Sequence, residues 1–365
     1  MTRPRIPCSS PAPHEDAAAV REAIDRVVAS GWFVLGPEVA AFESEFASAA
    51  GAGHAIGVGN GTDALALILK ALGIGAGDEV ITTPLSAAYT ALAIMMTGAR
   101  PVFADIDPDR LTLDPDAVSA AVTSRTRAVI PVHLYGQAAD MDAIAAVTTR
   151  HGLAIVEDCA QAHLATSRGR PVGTMGIAGA FSFYPTKNLG ALGDGGAVVT
   201  NDPVLAERVR RLRNGGQTDR YHHELPGINS RLDEMQAAIL RARLPYLREW
   251  TARRRSGAVR YREALGGGPV RVLPEFDRGH VYHLFVVRTS RREALQQHLA
   301  ARGIETLVHY PVPIPRQPAM AAQQPRECQN ATAACGEVLS LPLYPSITHD
   351  AIDEVTTAIR GFQEA

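Results

Sequence analysis

The sequence is short of cysteine, net charge and long apolar runs, and each shortage excludes a class of protein. Its four cysteines contain no CxxC pair and are too few to cross-link 365 residues. No stretch approaches the ~18 apolar residues of a membrane span, and residues 1–10 lack the apolar run of a signal peptide. We therefore expect reduced thiols in a cytoplasmic protein without a membrane partner.

Charge and histidine placement also exclude two kinds of binding. A formal net charge of −2 supplies no strong field for a polyanion, so nucleic acid is not an expected partner. His222 and His223 stand beside Glu224, but no HExxH spacing or further ligand cluster accompanies them, so no metal site is expected. The arginines of residues 248–262 fit either a solvated helix face or, more boldly, a site for a nucleotide diphosphate.

Short apolar segments alternate with helical patterns between residues 53 and 200, which is typical of βαβ units around a mainly parallel sheet. Leu65, Ile68, Leu69 and Leu72 have the spacing of one buried helix face. The predicted strands are residues 54–58, 79–82, 101–104, 128–132, 153–156, 180–183 and 197–200. The pattern predicts an α/β fold.

The length favours two domains. A long helical pattern covers residues 231–265, and a second βα region follows, with a strand at 281–287 and a helix at 291–302. We place the boundary near Pro245, inside the long helix. This gives a large domain of residues 1–245 and a small α+β domain of residues 246–365.

Residues 180–196, AFSFYPTKNLGALGDGG, carry the first candidate for chemistry. Lys187 stands on a turn that follows an apolar strand, from which it can project at a sheet edge. Partial desolvation there favours the neutral amine that a nucleophile needs, and the glycines after it let a flat cofactor approach the backbone. On this segment alone, a surface lysine in a flexible loop is an equal alternative.

Asp158 is the second candidate, because it follows a buried parallel strand at the edge where such sheets bind ligands. A carboxylate there can pair with the ring nitrogen of pyridoxal phosphate and keep it protonated. Gln161, one helical turn further on, can hydrogen-bond the ring hydroxyl. The alternative is that Asp158 only caps a helix.

Residues 57–63, GVGNGTD, form a glycine-rich turn between a strand and a helix. Backbone amides at a helix N-terminus, with the Thr62 hydroxyl, can bind one phosphate. A dinucleotide fingerprint, with Asp78 as its ribose carboxylate, is the alternative. It fits less well, because Thr62 occupies its last glycine position and Asp78 precedes its strand.

Four segments together resemble the DegT/StrS-type sugar aminotransferases: VEDCAQAH (156–163), SFYPTKNLG (182–190), GDGGA (193–197) and NSRLDEMQ (229–236). The similarity extends from about Phe33 to near the C-terminus. It implies a fold-type I aminotransferase architecture, pyridoxal 5'-phosphate as cofactor, and a homodimer whose active sites lie at the subunit interface.

The resemblance also implies roles for individual residues. Lys187 would be the Schiff-base lysine, Asp158 would pair with the pyridine nitrogen and Gln161 would lie near the ring hydroxyl. Gly61, Thr62 and Ser182 would hold the phosphate, Asn229 would reach it from the partner subunit, and Tyr89 would stack on the ring. Candidates for facing the sugar are His163, Tyr184, His309 and Tyr310, with a packed core or edge role as the alternative for His163 and Tyr184.

The expected reaction transfers an amino group from an amino acid, by resemblance L-glutamate, to the ketone of a nucleotide-linked sugar. Lys187 would move the proton as general base and acid. Tyr184 and Asp194 stand where the 4-amino-sugar and cyclitol branches tend to have histidine and glutamate, which favours a 3-keto-6-deoxyhexose on thymidine diphosphate. A 4-keto sugar or keto-cyclitol substrate, a dinucleotide-dependent oxidoreductase, and a non-catalytic regulatory protein on the same fold remain alternatives.

Overall fold

The centre of the molecule is a seven-stranded sheet in a computed structural model, which describes residues 4–362. The first nine strands of the chain are β1 (His54–Val58), β2 (Glu79–Thr82), β3 (Arg100–Phe103), β4 (Thr126–Ile130), β5 (Ala154–Asp158), β6 (Thr166–Ser167), β7 (Arg170–Pro171), β8 (Ala178–Ser182) and β9 (Gly196–Thr200). The central sheet has the order β1-β9-β8-β5-β4-β2-β3. Only β9 runs antiparallel to its neighbours. The predicted α/β class is confirmed.

Helices cover both faces of this sheet, as buried parallel strands require. The helices of the first half are α1 (Ala17–Ser30), α2 (Pro37–Ala50), α3 (Gly61–Ala71), α4 (Tyr89–Met96), α5 (Pro115–Ala121), α6 (Met141–His151) and α7 (Pro203–Arg213). The predicted apolar face of α3 packs in the core through Leu65, Ile68 and Leu69, together with Val156 of β5 and Ala180 of β8. These contacts hold the strand ends that form the candidate site.

The C-terminal half is built on a small antiparallel sheet. Its remaining elements are the hairpin strands β10 (Gln217–Asp219) and β11 (His222–His223), the sheet strands β12 (Arg271–Val272), β13 (Phe285–Arg288) and β14 (Val338–Leu341), and the helices α8 (Glu234–Arg243), α9 (Leu247–Leu265), α10 (Arg292–Ala300), α11 (Gln329–Glu337) and α12 (His349–Arg360). No helix among residues 4–362 is long and apolar enough to cross a bilayer.

Two predicted elements differ from the observed ones. The long helix expected at 231–265 is interrupted by a 3₁₀ turn at Leu244–Tyr246, because Pro245 has no N–H to continue α-helical hydrogen bonding. The strand expected at 281–287 is shorter, because the amides of Val281 and Leu284 donate instead to the carbonyls of Gly136 and Tyr135, at 3.0 and 3.3 Å. These bonds tie the small sheet to the large one beside the candidate site.

The start of the described chain belongs structurally with the C-terminal half. Ile6 forms a bridge with Ile304 and is buried in the same core as Leu299 and Leu339. The proposed division at residue 245 therefore needs this N-terminal segment to cross from one half to the other.

Candidate active site

Asp158 lies at the carboxyl edge of the large sheet, where β5 ends, and is almost completely buried. Its Oδ2 accepts a hydrogen bond from Thr90 Oγ1 at 2.7 Å, and its Oδ1 accepts one from the Ala160 amide at 3.1 Å. Turns, not a helix, follow Asp158, so the alternative of a helix cap is wrong, and so is the helical turn expected before Gln161. The carboxylate is fixed in place yet retains lone pairs for a further donor.

Gln161 is held in one orientation by the backbone. Its Oε1 accepts the Tyr135 amide at 2.7 Å, and its Nε2 donates to Tyr310 Oη at 3.1 Å. Because the Tyr135 amide is a donor, it must face the oxygen of Gln161, which leaves the Nε2 group to serve hydroxyl oxygens. Gln161 therefore can donate to a ring hydroxyl, as the motif predicts.

Lys187 projects from the turn after β8, where its amide donates to the Tyr184 carbonyl at 2.8 Å. Burial lowers the pKa of its amine to about 8, against the opposing effect of the nearby Asp158 charge. A lysine with this pKa has a substantial neutral fraction near neutral pH, as a nucleophile or base requires. The only other lysine of the chain is Lys70, in the last turn of α3.

A cradle for a small anion lies between α3 and β8. A Cβ on Gly61 would approach Ser182 Cβ to 2.8 Å, so only glycine allows this contact. Asn60 Oδ1 caps α3 by accepting the Asp63 amide at 2.8 Å, and Asp63 in turn accepts the Ser230 hydroxyl. The first amides of α3, beside Thr62, have no partner within the helix and suit a phosphate.

Aromatic side chains stand over the same edge. Tyr89 opens α4 and is 64% exposed, while Tyr310 is half-buried. Burial raises the pKa of Tyr310 to about 12, with smaller contributions from Asp158 and Tyr89, which places its hydroxyl among these groups. His309 is fixed by a 2.8 Å hydrogen bond between Nδ1 and Ser340 Oγ; burial and the Lys187 charge lower its pKa to about 4.

Three further predicted residues, His163, Tyr184 and Asn229, differ in exposure. His163 is fully buried between the rings of Phe181 and Phe183, at centroid distances of 5.5 and 5.6 Å. That packing favours its core alternative over contact with a sugar. Tyr184 is exposed, as a substrate contact could be. Asn229 is also exposed; its backbone bridges Asn214, and the hydroxyl of the next residue, Ser230, accepts the Gly59 amide and donates to Asp63 beside the anion cradle.

Sequence reasoning missed Thr90, Tyr135 and the pair that holds the lysine turn. His283 Nδ1 lies 3.0 Å from Asn188 Oδ1, and Asn188 Nδ2 donates to the Val281 carbonyl at 3.1 Å. These contacts attach the residue after Lys187 to the small sheet. A signal was available only for Thr90 and Asn188, which adjoin residues already selected.

Two other polar groups, a buried cluster and the arginines of 248–262, have partners within the fold for some of their members. His133, Glu157 and Cys159 form a buried group, but His133 Nε2 bonds Glu157 at 2.9 Å and its Nδ1 accepts the Ala139 amide at 3.1 Å. Among the arginines of 248–262, Arg260 pairs with Asp353, whereas Arg254 is buried and does not belong to a solvated helix face.

The dinucleotide alternative fails on geometry. Asp78 precedes β2 and therefore lies at the amino edge of the sheet, opposite the anion cradle at the carboxyl edge. Its side chain accepts the Gly75 amide at 3.1 Å and pairs with Arg127 at 3.2 Å. A carboxylate at that edge cannot bind the ribose of a nucleotide held at Gly61.

The carboxyl edge of this mainly parallel sheet brings together a buried aspartate, a lysine of lowered pKa and a glycine-lined anion cradle. These groups define an aminotransferase-type site. The model of the DegT/DnrJ/EryC1/StrS aminotransferase family matches residues 14–360, and the chain belongs to that family. The resemblance drawn from the motifs is thereby confirmed.

Individual relatives are similar over nearly the whole chain. The dTDP-3-amino-3,4,6-trideoxy-alpha-D-glucose transaminase of Streptomyces venezuelae is 50% identical, covering 99% of this chain and 97% of the relative. The dTDP-3-amino-3,6-dideoxy-alpha-D-galactopyranose transaminase of Aneurinibacillus thermoaerophilus is 46% identical, covering 94% and 95%. The crystal structure of S. venezuelae DesV with a ketimine intermediate superimposes with a TM-score of 0.96, at 50% identity and 99% coverage of both chains.

Proposed function

We propose that this protein uses pyridoxal 5'-phosphate to move an amino group from an amino acid, by family resemblance L-glutamate, to a dTDP-linked 3-keto-6-deoxyhexose. The observation that carries the proposal is the convergence of Lys187, of lowered pKa, and the fixed Asp158 carboxylate at one sheet edge. The similarity to transaminases named for dTDP-3-amino sugars supports the position of the ketone.

The residues present fit the cofactor. Asp158 would bind the ring nitrogen, Gln161 Nε2 would donate to the ring hydroxyl, and Tyr89 would cover one face of the ring. Gly61, Thr62 and Ser182 would hold the phosphate, since the contact between Gly61 and Ser182 leaves no room for a Cβ. When bound, pyridoxal phosphate supplies an electron sink for the carbon that loses a proton.

The protein's own groups would supply orientation and proton transfer. Lys187 would carry the cofactor covalently and, once released, accept and return a proton at Nζ, for which a pKa of about 8 is well matched. Asp158, held by Thr90 and the Ala160 amide, would keep its negative charge aimed at the ring nitrogen. His309, Tyr310 and Tyr184 are the proposed sugar contacts, and the burial of His163 removes support for it in that role.

We also propose a homodimer with shared sites. Asn229 is exposed, so its side chain is accessible to a partner subunit, and the family resemblance assigns it to the phosphate of the partner's site. Mixing inactive Lys187→Ala chains with inactive Asn229→Ala chains should restore part of the activity in heterodimers. A fully active monomer in sedimentation would contradict the proposal.

Two half-reactions test the function. Adding L-glutamate alone should remove the visible absorbance of the Lys187-bound cofactor, which distinguishes an aminotransferase from a non-catalytic protein that keeps the cofactor. The isolated amino form is then given a 3-keto nucleotide sugar, a 4-keto nucleotide sugar or a keto-cyclitol. Return of the absorbance only with the 3-keto sugar is expected. If only the 4-keto sugar or the keto-cyclitol restores the absorbance, the proposed substrate is wrong, but the proposed amine transfer is still supported.

A further inference from the structure

Arg254 of α9 is a buried cation without a carboxylate partner. Its side chain is only slightly exposed, and its Nη1 donates to the carbonyls of Tyr282, His283 and Leu343 at 3.3, 3.3 and 2.9 Å. Its buried Nε meets no acceptor, and no acid pairs with it among residues 4–362. Burial lowers its pKa to about 10. A buried charge without a paired acid is costly, which makes this guanidinium a candidate to bind an anion.

Two neighbouring arginines are paired with acids. Arg253 binds Glu15 at 3.0 Å, and Arg243 Nε lies 2.9 Å from Asp16 Oδ2. Both acids come from the segment before α1, which packs against the start of α9. The contrast is informative, because the two acids that could neutralise Arg254 are already paired with other cations.

Arg254 also lines a cavity beside the reactive lysine. The cavity lies between the N-terminal segment, the turn of Lys187, α9 and the loop after β14. Its wall contains hydroxyls of Ser9, Ser10, Thr186 and Ser346, and cations of Lys187, Arg243, Arg253 and Arg254. The acids of the wall, Glu15 and Asp16, pair with Arg253 and Arg243 and leave Arg254 without one. Hydroxyls around a guanidinium are the groups that bind carboxylate or phosphate oxygens. An anion in the cavity would therefore meet both charge and hydrogen-bond donors.

We propose that this cavity binds an oxyanion, a carboxylate or a phosphate, with Arg254 as its counter-ion. One source is a carboxylate of the amino donor, which the shared wall with Lys187 would place beside the reacting amine. The other source is free inorganic phosphate. The donor version rests on the proposed function, whereas the phosphate version does not.

Trp250 lines the same cavity and makes binding measurable there. The chain's other tryptophan is Trp32, so a Trp32→Phe protein reports from Trp250 alone. The holoenzyme of this variant is titrated with glutarate and, separately, with inorganic phosphate at constant ionic strength. Glutarate has no amine and cannot react with the cofactor. We expect a saturable change in Trp250 emission with at least one anion.

Arg254→Gln in the same background should weaken that binding about tenfold or more, because a charge-assisted hydrogen bond is lost. The matched control is Arg260→Gln, which removes a cation of the same helix that pairs with Asp353 and does not line the cavity, and it should change the affinity less than about twofold. If Arg254→Gln does not fold, the titration of the Trp32→Phe protein decides alone.

The outcomes separate the two sources. Glutarate that binds and raises the apparent KM for L-glutamate identifies the donor carboxylate, whereas phosphate that binds without affecting this KM identifies an inorganic anion. Absence of a saturable Trp250 response to both, or unchanged binding in Arg254→Gln, overturns the proposal. The loss of cofactor absorbance with L-glutamate alone is a separate measurement. The proposed function can therefore hold even if the cavity binds neither anion.

Discussion

The two faces of β5 use adjacent carboxylates in opposite ways. Glu157 is fully buried and accepts the amides of Gly173, Met175 and Gly176, at 2.8, 2.7 and 2.7 Å, as well as bonding His133. Burial alone would raise the pKa of Glu157, but the His133 contact and these amides hold it below its ordinary value.

Asp158, one residue later, faces the other side and accepts only Thr90 and the Ala160 amide. The difference teaches where function resides at this sheet edge. A buried carboxylate whose lone pairs are all used stabilises the fold, whereas one that is fixed but incompletely used can bind something else.

Among the changes on the side of β5 that Asp158 faces, removal of Lys187 should cause the largest loss of activity. Lys187→Ala should lower the rate of amine transfer by more than about 10³-fold, because both covalent attachment and proton transfer are lost. The matched control is Lys70→Ala, since Lys70 lies in the last turn of α3 outside the site. Product amine is measured for both. Turnover of Lys187→Ala at the wild-type rate would remove the lysine from the mechanism.

Exchanging the two carboxylates for amides tests the comparison directly. Asp158→Asn should fold normally yet transfer amines about 10²-fold more slowly or worse, because an amide does not hold the ring nitrogen protonated. Glu157→Gln should instead lower the free energy of unfolding by about 3 kcal/mol, because a buried amide N–H would face backbone donors. Rates and denaturant unfolding are measured for both. If Glu157→Gln mainly slows amine transfer and Asp158→Asn mainly destabilises the fold, the comparison between the two carboxylates is wrong.

The stability from Glu157 should also have a defined pH dependence. Its pKa is lowered on folding, so its contribution is present above the ordinary glutamate pKa and is lost as the pH falls through the folded value. Acid should therefore destabilise the wild type more than Glu157→Gln. Parallel loss of stability in the two proteins would assign acid sensitivity to other groups.

Capture of the cofactor by Lys187 should depend on pH in a predictable direction. Because the amine has a pKa of about 8 and only its neutral form attacks, the rate of pyridoxal phosphate capture by cofactor-free protein should rise roughly tenfold per pH unit up to that value, then level. Stopped-flow absorbance measures it, with Lys70→Ala as the control. If the midpoint of the pH profile lies near the ordinary pKa of lysine, burial does not lower the pKa of Lys187.

Replacement of Thr90 should have the smallest effect on activity, and it tests only the hydrogen bond that fixes Asp158. Thr90→Val removes one hydrogen bond to the carboxylate and should weaken cofactor binding and slow transfer by roughly fivefold each, while Thr90→Ser restores both. Thr112→Val is the control, because the buried Thr112 hydroxyl has no partner to lose. Cofactor affinity and absorbance are recorded with the rates. If valine has equal effects at both positions, Thr90 contributes packing and not a functional hydrogen bond to Asp158.

Local patterns in the sequence determined the α/β class, most strand positions and the choice of Lys187 and Asp158. Strand and helix periodicities are local properties, and the carboxyl ends of parallel strands meet at one edge whatever the details of packing. The motifs around 156–163 and 182–190 therefore led to the site and to the family.

Only the tertiary structure decided which polar atoms remain available. The partners of Asp158, Gln161 and the turn of Lys187 come from Thr90, Tyr135, Tyr310 and His283, which are distant in the chain and carry no local pattern of their own. Backbone hydrogen bonds from Val281 and Leu284 to Gly136 and Tyr135 shortened β13, and the packing of Phe181 and Phe183 enclosed His163. Residue types and spacing fixed the chemistry that is present, whereas hydrogen-bond geometry between distant segments decided which of those groups are free to act.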